Sequence, residues 1–425
     1  MEKIYSLSDF GVIKHDLALE NGLKIIFIEK SFGPIYAKLM MRAGSIFNNG
    51  DSGLSHFTEH IIVSGSEKYP KKEQFAGIIA SIGGYSNANT GRTTMCVECE
   101  VAIPDHMKNM KEYFSESLTH LHITPQSLEK EIGVITAEIQ DNVSKPEYVA
   151  NRYAANLWAN GTGWGCSNLG TVESVSSVKE SDIREFFSTY CCVENMLLVI
   201  AGGCKKEDVI STFSDIEFLH GKSVELPESP LSLPANQRVF FEQNISKTNT
   251  GIFFEMPHPE TKESLLINFV FGFTHDGLSS RFYKKIRNEK GLAYRVGSPE
   301  IDLNKLRYRG TSTSVPPGKI DFALEAILDC YSELLKEGVT QKEYNDKLSA
   351  LWFSEMRRKE TSQDWVKEFA NVYPELNPIV GDFPDWNNFM KKINVEEVNE
   401  VLRKYINLSN FHLYVNGKEN SKNYF

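Results

Sequence analysis

One sequence pattern occurs twice in this chain, as DIREFFSTYCCVENMLLVIAG from Asp182 to Gly202 and as EVNEVLRKYINLSNFHLYVNG from Glu397 to Gly417. In both copies an amphipathic helical pattern ends at a tyrosine, and an asparagine follows five residues later. An apolar run typical of a buried strand then leads to a glycine, twelve residues after the tyrosine. The copies lie 215 residues apart, about half of the 425-residue chain. This repetition indicates that one structural unit is used twice.

Strand and helix patterns alternate through the first half of the chain. Asn21-Gly22 predicts a two-residue turn between two hairpin strands, and a further strand is predicted at Ile35–Arg42. Helices are predicted around 53–63, 72–82, 105–121 and 125–141, and a strand pair around 85–102. We therefore expect an α+β fold of two homologous layered α/β-sandwich halves, related by internal duplication.

The boundaries of the halves follow from the repeat and from the position of the prolines. We expect an N-terminal domain over 1–215, a linker over 216–239 and a C-terminal domain over 240–425. The linker range is polar and contains Pro227, Pro230 and Pro234. Prolines between periodic segments are typical of connecting stretches, and a chain of this length exceeds one ordinary core.

Composition and charge exclude several kinds of partner. The net charge is −10, with 41% hydrophobic and 24% charged residues, whereas nucleic acid and anionic membranes attract clustered Lys and Arg. No apolar stretch approaches the roughly 18 residues that a membrane-spanning helix needs. The first residues resemble neither a signal peptide nor a transit peptide. We therefore expect a cytoplasmic protein without a nucleic-acid partner and without a membrane span.

The cysteines do not form a recognisable metal or disulfide framework. There are seven, an odd number scattered along the chain, which is typical of a reducing compartment. Cys96 and Cys99 form a C-x-x-C, but Thr93–Val101 alternates like a strand. Residues three apart on a strand point to opposite faces, so this pair is predicted to be structural.

The residues that point most directly to chemistry are His56, Glu59 and His60, in the order H-x-x-E-H. On a helix, histidines four residues apart share one face, and Glu59 lies on the same side. Two neutral imidazoles can bind one cation while the carboxylate stays close to a metal-bound water, as in zinc hydrolases. The same order arises by chance on exposed helices. The motif alone therefore does not decide between a metal site and an ordinary exposed helix.

A third ligand has to come from elsewhere in the chain. A helix predicted to begin at Thr124-Pro125 carries Glu131 and Glu138, seven residues apart and thus on one face. Either glutamate could ligate the metal while the other orients a ligating histidine. Exposed helices are also rich in glutamate. The spacing therefore decides neither whether these glutamates serve a metal nor which of them would be the ligand.

Taken together, these residues resemble the pitrilysin family of zinc peptidases, the inverzincins, which includes insulin-degrading enzyme and the mitochondrial processing peptidases. Gly53–His60, GLSHFTEH, is similar to the family's G-x-A-H-F-L-E-H, with departures at Ser55 and Thr58. Glu138 follows the last histidine at close to the family's interval. The resemblance covers nearly the whole chain and fits the short two-domain type of the family.

The resemblance implies a role for each residue of the motif. One Zn²⁺ per chain is held by His56, His60 and Glu138. Glu59 is the general base, and Glu131 orients a histidine from behind. The chain would then be a zinc metalloendopeptidase that hydrolyses extended peptides or precursor segments in a closed chamber.

Two further segments resemble the substrate-binding parts of the family. Gly83–Thr90, GGYSNANT, is similar to G-G-x-x-N-A-x-T, where a strand edge pairs with the substrate backbone. This implies substrate contacts from Asn87, Ala88, Asn89 and Thr90. In the second half, Leu278–Phe282, Ile286–Glu289 and Gly291–Tyr294 are similar to S-S-R-L…I-R-E…G-L-A-Y. Arg287 and Tyr294 then correspond to the family's substrate-binding pair.

The second half has no matching metal ligands, because Glu138 corresponds at the repeat offset to Phe353 or Ser354. Family members build their chamber from four such halves, so the resemblance implies a homodimer or a heterodimer with a related subunit. Two other interpretations remain. One is a non-catalytic structural or regulatory subunit of a heterodimeric peptidase. The other is a peptide-binding module with structural zinc, although structural zinc usually has four protein ligands.

Overall fold

The computed structural model describes residues 10–119, 121–143, 145, 148, 159, 162–228, 235–257, 261–275, 277–293, 295–303, 306–357, 359–370 and 392–424. The chain divides into two compact units. The first comprises Met1–Asp141, Gly161–Pro227 and Glu355–Leu376, and the second comprises Asn142–Asn160, Glu228–Ser354 and Asn377–Phe425. Neither unit is therefore one continuous stretch of sequence. No helix in the described part of the chain is long and apolar enough to cross a bilayer.

The first unit is built on a six-stranded sheet, counted over the described residues. Its strands are β1 Val12–Ala18, β2 Lys24–Lys30, β3 Ile35–Met41, β4 Tyr85–Thr90, β5 Met95–Val101 and β6 Met196–Gly202. Their order is β1-β2-β6-β3-β5-β4. Only β2 and β6 pair in parallel; the other neighbours are antiparallel. Strand β4 is consequently an edge strand.

Helices cover one face of this sheet. They are α1 Leu54–Ile62, α2 Lys72–Ala80, α3 Met107–Thr119, α6 Glu180–Tyr190 and α7 Lys206–Phe213, whereas α4 Pro125–Val143 and α5 Val172–Ser176 contribute no buried residue to the core that the other helices form with the sheet. The core between helices and sheet is apolar, with Phe27, Leu39, Phe114 and Leu198 at most 1% exposed. Burial of such side chains contributes roughly 1.5–3 kcal/mol each relative to exposure. The predicted helices and strands of the first half are therefore confirmed.

The second unit contains a second mixed sheet. Its strands are β7 Arg238–Glu242, β8 Thr248–Met256, β9 Val296–Gly297, β10 Glu300–Leu303, β11 Leu306–Val315 and β12 His412–Gly417. The order is β10-β11-β8-β12-β7, with β9 beside β11. In chain order, the remaining helices are α8 Lys262–His275, α9 Arg281–Tyr283, α10 Ile320–Glu337, α11 Gln341–Arg357, α12 Ser362–Ala370 and α13 Val395–Tyr405, and a π-helix spans Lys284–Glu289.

The two sheets have the same topology, which confirms the duplication inferred from the repeat. The order β2-β6-β3-β5-β4 in one corresponds to β7-β12-β8-β11-β10 in the other. The parallel pair occupies the same place in each, β2 with β6 and β7 with β12. Helices α6 and α13 end at Tyr190 and Tyr405, and the strands that follow end at Gly202 and Gly417. The repeated segment therefore supplies the central helix–strand unit of both sheets.

Helix α12, which comes late in the chain, packs on the remaining face of the first sheet. Trp365, Val366 and Phe369 are at most 5% exposed and pack in one cluster with Tyr36 and Val199 of the sheet. The cover is tied down by polar contacts as well, because Ser362 Oγ donates to the carbonyl of Pro34 at 2.5 Å. The central strands of the first sheet are thereby covered on both faces.

The predicted linker over 216–239 contains residues of both units. Ile216 and Phe218 are 2% and 7% exposed in the first core, and Arg238 begins β7. The C-x-x-C pair behaves as strand alternation predicts, since Cys96 lies in the cluster under α12 and Cys99 in the core on the opposite face. Burial raises the pKa of both thiols, that of Cys96 to about 11.

Candidate metal centre

Helix α1 is held at both its start and its inner face. Gly53 precedes it with φ 67°, and a Cβ there would come within 2.5 Å of the Leu169 carbonyl oxygen. Asn48 Oδ1 accepts a hydrogen bond from the Ser55 N–H at 2.9 Å, which satisfies one of the donors that a helix start leaves open. Phe57 and Ile61 are fully buried. The helix therefore presents its histidines from a rigid base.

Three side chains converge on one point beside α1. Nε2 of His56 and Nε2 of His60 each lie 3.7 Å from Oε2 of Glu138, and the ligand atoms of all three lie within 4.8 Å of one another. Among the residues that the structure describes, this is the one group of three with the geometry for a metal ion. Glu138 comes from α4, so two helices supply the cluster.

The arrangement fits a divalent cation such as zinc. Ligand atoms around a tetrahedral zinc, with bonds of 2.0–2.2 Å, are separated by roughly 3.3–3.6 Å. The observed 3.7 Å is close to that spacing, and it is too long for a hydrogen bond. Burial, and then the neighbouring His60, lower the pKa of His56 to about 3. A neutral imidazole is the form that binds a metal.

Glu131 contacts His60 on the far side of the ring from the cluster. The Nδ1 of His60 lies 2.9 Å from Oε2 of Glu131, which is only 2% exposed. Burial acts to raise the pKa of Glu131, but the His60 hydrogen bond and the charge of Lys72 outweigh it and leave that pKa below its usual value. An ionised Glu131 accepts a hydrogen bond from the Nδ1–H of His60 and leaves the Nε2 lone pair aimed at the cluster.

Glu59 lies beside the cluster and is held by a strand. It is 7% exposed, and its Oε2 accepts a hydrogen bond from Thr90 Oγ1 at 2.6 Å. Burial raises the pKa of Glu59, partly opposed by that hydrogen bond and by His60. A carboxylate with a raised pKa is a better proton acceptor for water than a solvated one.

The segment Asn87–Thr90 forms the end of β4. Its residues alternate between exposed and half-buried, and β4 pairs with β5 only. The Thr90 hydroxyl reaches Glu59, and the substrate contact expected of Thr90 stays a prediction. Asn168, which the motifs do not identify, donates from Nδ2 to the Thr90 carbonyl at 3.1 Å. No sequence signal connects residues 78 positions apart.

The predicted substrate pair of the second half is only partly visible. Arg287 lies in the π-helix Lys284–Glu289, a type of helix found frequently at functional sites. Its guanidinium stands over the Tyr283 ring at 4.8 Å and donates to the Tyr283 hydroxyl. Tyr294 lies outside the described residues. Arg287 belongs to the second unit, whereas the metal cluster belongs to the first.

The chain has two α+β halves of equal topology, and one of them carries a His–His–Glu cluster beside a buried glutamate. This combination defines a peptidase-like class of protein. The chain matches the family model "Insulinase (Peptidase family M16)" over residues 34–164 and "Peptidase M16 inactive domain" over residues 177–351. It belongs to this M16 family, the pitrilysin family that the motifs resemble.

Relatives in this family carry different names. The chain is 24% identical to the "Uncharacterized zinc protease YmxG" of Bacillus subtilis over 83% of its own length and 85% of that protein. It is 23% identical to the "Non-peptidase homolog YmxG" of Helicobacter pylori, over 94% and 93% of the two chains. The crystal structure of a protease from Helicobacter pylori has the same fold, with a TM-score of 0.87 and 16% identity over 95% of this chain and 99% of that one.

Proposed function

We propose that the chain is a zinc-dependent endopeptidase that hydrolyses extended peptides or precursor segments. The observation that carries this proposal is the convergence of His56, His60 and Glu138 within 4.8 Å. A buried glutamate lies on each side of it, Glu59 next to the cluster and Glu131 behind His60. Separately, each feature is common on helices. Together they form a metal site with a base and an orienting carboxylate.

Each residue then has a distinct task. His56, His60 and Glu138 would hold the metal, which matches the three protein ligands typical of catalytic zinc sites. Zinc held there supplies Lewis acidity, which polarises a carbonyl and makes water nucleophilic near neutral pH. Glu131 keeps the His60 ring oriented.

Glu59 moves the proton. It takes a proton from the attacking water as the new C–O bond forms, and it delivers that proton to the amine nitrogen when the C–N bond breaks. Its burial supports this role, because a partly desolvated carboxylate binds the proton more strongly. Arg287 and Tyr294 serve the substrate carbonyl and the developing oxyanion in this proposal, where a single donor is typically worth about 10²–10³ in rate.

Strand β4 aligns the substrate. A strand with an unpaired edge, as β4 is among the described residues, can take up an extended peptide through main-chain hydrogen bonds. Because β4 recognises the substrate backbone, we expect the protein to select extended, unfolded segments and not one particular side-chain type. The proposed closed chamber requires a second copy of this chain or a related subunit. We also propose that the protein works in the cytoplasm.

A non-catalytic role is the second candidate. The name of the Helicobacter relative favours it, since that protein is called a non-peptidase homolog. The complete H-x-x-E-H of this chain and the geometry around His56 favour the peptidase. In the second candidate the chain binds peptide or a partner subunit without turnover.

The test is hydrolysis of a quenched fluorescent peptide library by the purified full chain, with and without a chelator, at several protein concentrations. Cleavage abolished by the chelator and restored by Zn²⁺ is the expected result. A specific activity that rises with protein concentration indicates that the dimer is the working form. Stoichiometric zinc without cleavage, alone and in the presence of a related subunit, contradicts the peptidase and favours the second candidate.

A further inference from the structure

We propose that Thr90 and Asn168 are positioning residues that fix the carboxylate of Glu59 and end the substrate-pairing edge of β4 at the same point. The inference rests on the proposed peptidase function. It adds two positioning residues and identifies the point on β4 at which pairing with a substrate strand ends.

The first contact joins strand and base. Thr90 Oγ1 donates to Glu59 Oε2 at 2.6 Å. Hydrogen bonds to a carboxylate are short and roughly twice as strong as neutral ones. A threonine is restricted at χ1 because its Cβ is branched, so the hydroxyl is a stiff anchor. With one carboxylate oxygen held, the Glu59 side chain is locked in rotation and its other oxygen remains for the water.

The second contact involves the backbone of the same residue. In an antiparallel pair, the N–H and C=O groups of successive residues point alternately toward the partner strand and away from it. Gly91 N donates to the Thr94 carbonyl at 2.7 Å, so Gly91 faces inward and Thr90 faces outward. The outward Thr90 carbonyl accepts the Asn168 amide at 3.1 Å.

This occupation sets the end of the available edge. Ser86 and Ala88 have the same parity as Thr90, so their backbone groups also face outward. Asn168 takes the carbonyl at Thr90, which leaves the groups of Ser86 and Ala88 for an incoming peptide. The peptide strand therefore has a defined register relative to Glu59, because the residue that ends the edge also holds the base.

Asn168 is itself fixed by contacts to the start of α1. The N–H of Ser167 donates to Asp51 Oδ1 at 2.7 Å, and Ser174 Oγ donates to the Asp51 carbonyl at 2.7 Å. Gly170 approaches Gly53 so closely that a Cβ on Gly170 would lie 2.9 Å from the Gly53 nitrogen. The loop that carries Asn168 is thus anchored to the helix that carries the metal-binding histidines.

Substitutions at Thr90 test the hydroxyl. Thr90→Val keeps the branched shape and removes the donor, whereas Thr90→Ser keeps the donor. We expect Thr90→Val to lower kcat roughly 10- to 100-fold, the range for a hydrogen bond to a charged group, with zinc content unchanged and KM within about twofold. Thr90→Ser restores most of kcat. Thr250→Val is the matched control, because Thr250 Oγ1 donates to the Tyr414 carbonyl at 2.8 Å in the other sheet, and its kcat stays at the wild-type value.

Asn168→Leu tests the register. It frees the outward Thr90 carbonyl, so a peptide can pair two residues further along the edge. Mass spectrometry of a defined peptide should then find a second cleavage site, displaced by two residues, in addition to the original one. A purely structural role for Asn168 predicts lower stability with one unchanged cleavage site, and that result would overturn the register part of the proposal.

A crystal structure of Thr90→Val gives a readout that does not depend on activity. We expect the Glu59 carboxylate to rotate away from its wild-type position in Thr90→Val and to keep that position in Thr90→Ser. A Glu59 side chain unmoved in Thr90→Val overturns the inference even if the enzyme is active. Conversely, a wild-type protein that shows no chelator-sensitive cleavage contradicts the peptidase function and leaves the crystallographic comparison to decide the role of Thr90.

Discussion

His60 and Glu131 form a hydrogen bond of 2.9 Å on the side of the imidazole that faces away from Glu138. The Nδ1 of His60 therefore bonds to Glu131, and its Nε2 faces the metal cluster. Because Glu131 is 2% exposed and its pKa lies below the usual value, it stays ionised and fixes the tautomer of the ring. Glu131 and Glu138, both on α4, consequently lie at opposite nitrogens of a single histidine.

Removal of Glu131 should weaken metal binding without removing a ligand. We expect Glu131→Ala to lower zinc affinity by roughly 10- to 100-fold, the usual cost of losing a partner behind a ligating histidine. Competition with a fluorescent chelator measures this affinity. Glu129→Gln, an exposed change on the same helix, is the matched control and should bind zinc like the wild type. Equal affinity in Glu131→Ala and the control would mean that the hydrogen bond does not orient the ring.

Substitution of Glu59 should separate metal binding from turnover. Glu59→Gln retains the shape of the side chain and its contact with Thr90, but an amide cannot accept the proton of water. We expect full zinc content and a kcat lowered by about 10²–10⁴, the contribution typical of a general base. Zinc is measured by inductively coupled plasma spectrometry and turnover with the peptide from the library. Loss of zinc from the variant, or retained turnover, would contradict the role of Glu59.

Arg281, in the second half, clamps the start of α11. Its Nε and one terminal nitrogen contact the two oxygens of Glu343 at 2.6 and 2.7 Å, and the same nitrogen donates to the Gly338 carbonyl at 3.0 Å. Lysine cannot reproduce this bidentate geometry. We expect Arg281→Lys to lower the free energy of unfolding by about 1–2 kcal/mol, measured by urea denaturation. An unchanged midpoint would show that the clamp adds nothing to stability.

The same pair makes stability depend on pH. Burial acts to raise the pKa of Glu343, but hydrogen bonds from Arg281 and Thr340 outweigh it and lower that pKa to about 2 from 4.5. A folded pKa below the unfolded one stabilises the fold above about pH 4.5, and this contribution is lost as the pH falls toward 2. The difference in unfolding free energy between wild type and Glu343→Gln should therefore be larger at pH 7 than at pH 3. A constant difference would contradict the assignment.

His275 makes the free energy of unfolding depend on pH independently of Glu343. Its two ring nitrogens lie 2.8 and 2.7 Å from the hydroxyl oxygens of Thr274 and Thr311, and Phe282 stacks on the ring with centroids 4.2 Å apart. Burial, and then the charge of Arg309, lower the pKa of His275 to about 3. The unfolded chain binds a proton below about pH 6.5, so this contribution is complete above that pH and is lost as the pH falls toward 3.

A variant without this imidazole tests the term. We expect His275→Gln to be less stable than wild type at pH 7 and to lose less stability between pH 6.5 and 5. The wild type should lose up to about 1.4 kcal/mol more per pH unit in that window. Thermal and urea unfolding of both proteins at several pH values measures the slopes. Parallel slopes would mean that His275 does not bind the proton on unfolding.

The cover that α12 provides should be a large part of the stability of the first unit. Trp365 is 1% exposed, and truncation of a buried tryptophan typically costs about 3–5 kcal/mol. We expect Trp365→Ala to lower the unfolding free energy by that amount in urea denaturation. Phe322→Ala, at a side chain that is 55% exposed, is the control and should be close to neutral. A small effect at Trp365 would mean that the sheet face tolerates solvent.

Local patterns in the sequence were sufficient for the parts of this molecule that depend on neighbours in the chain. The turn at Asn21-Gly22, the phase of His56 and His60 and the repeat ending at Tyr190 and Tyr405 each follow from spacing within one element. For the same reason, helical phase did not separate Glu131 from Glu138, since residues seven apart share a face. The family resemblance distinguished their roles, and the structure gives them different nitrogens of His60.

Contacts between distant parts of the chain were not predictable in this way. The Thr90 hydroxyl reaches Glu59 because β4 packs beside α1, and Asn168 reaches Thr90 through a loop far along the sequence. Neither residue type is unusual at its position, so the sequence carries no signal. The packing of α12 on the first sheet is the clearest case, because an amphipathic helix specifies an apolar face but not its partner.

That packing also bears on how the chain is made. A ribosome releases the strands of the first sheet long before Trp365 and Phe369 have been synthesised, so one apolar face of that sheet has no cover during most of translation. Unpaired apolar surface on a nascent chain invites aggregation and chaperone binding. The first unit can complete its folding only after Ser362–Ala370 have been synthesised. The two units therefore do not fold strictly one after the other during synthesis, because a late helix completes the early sheet.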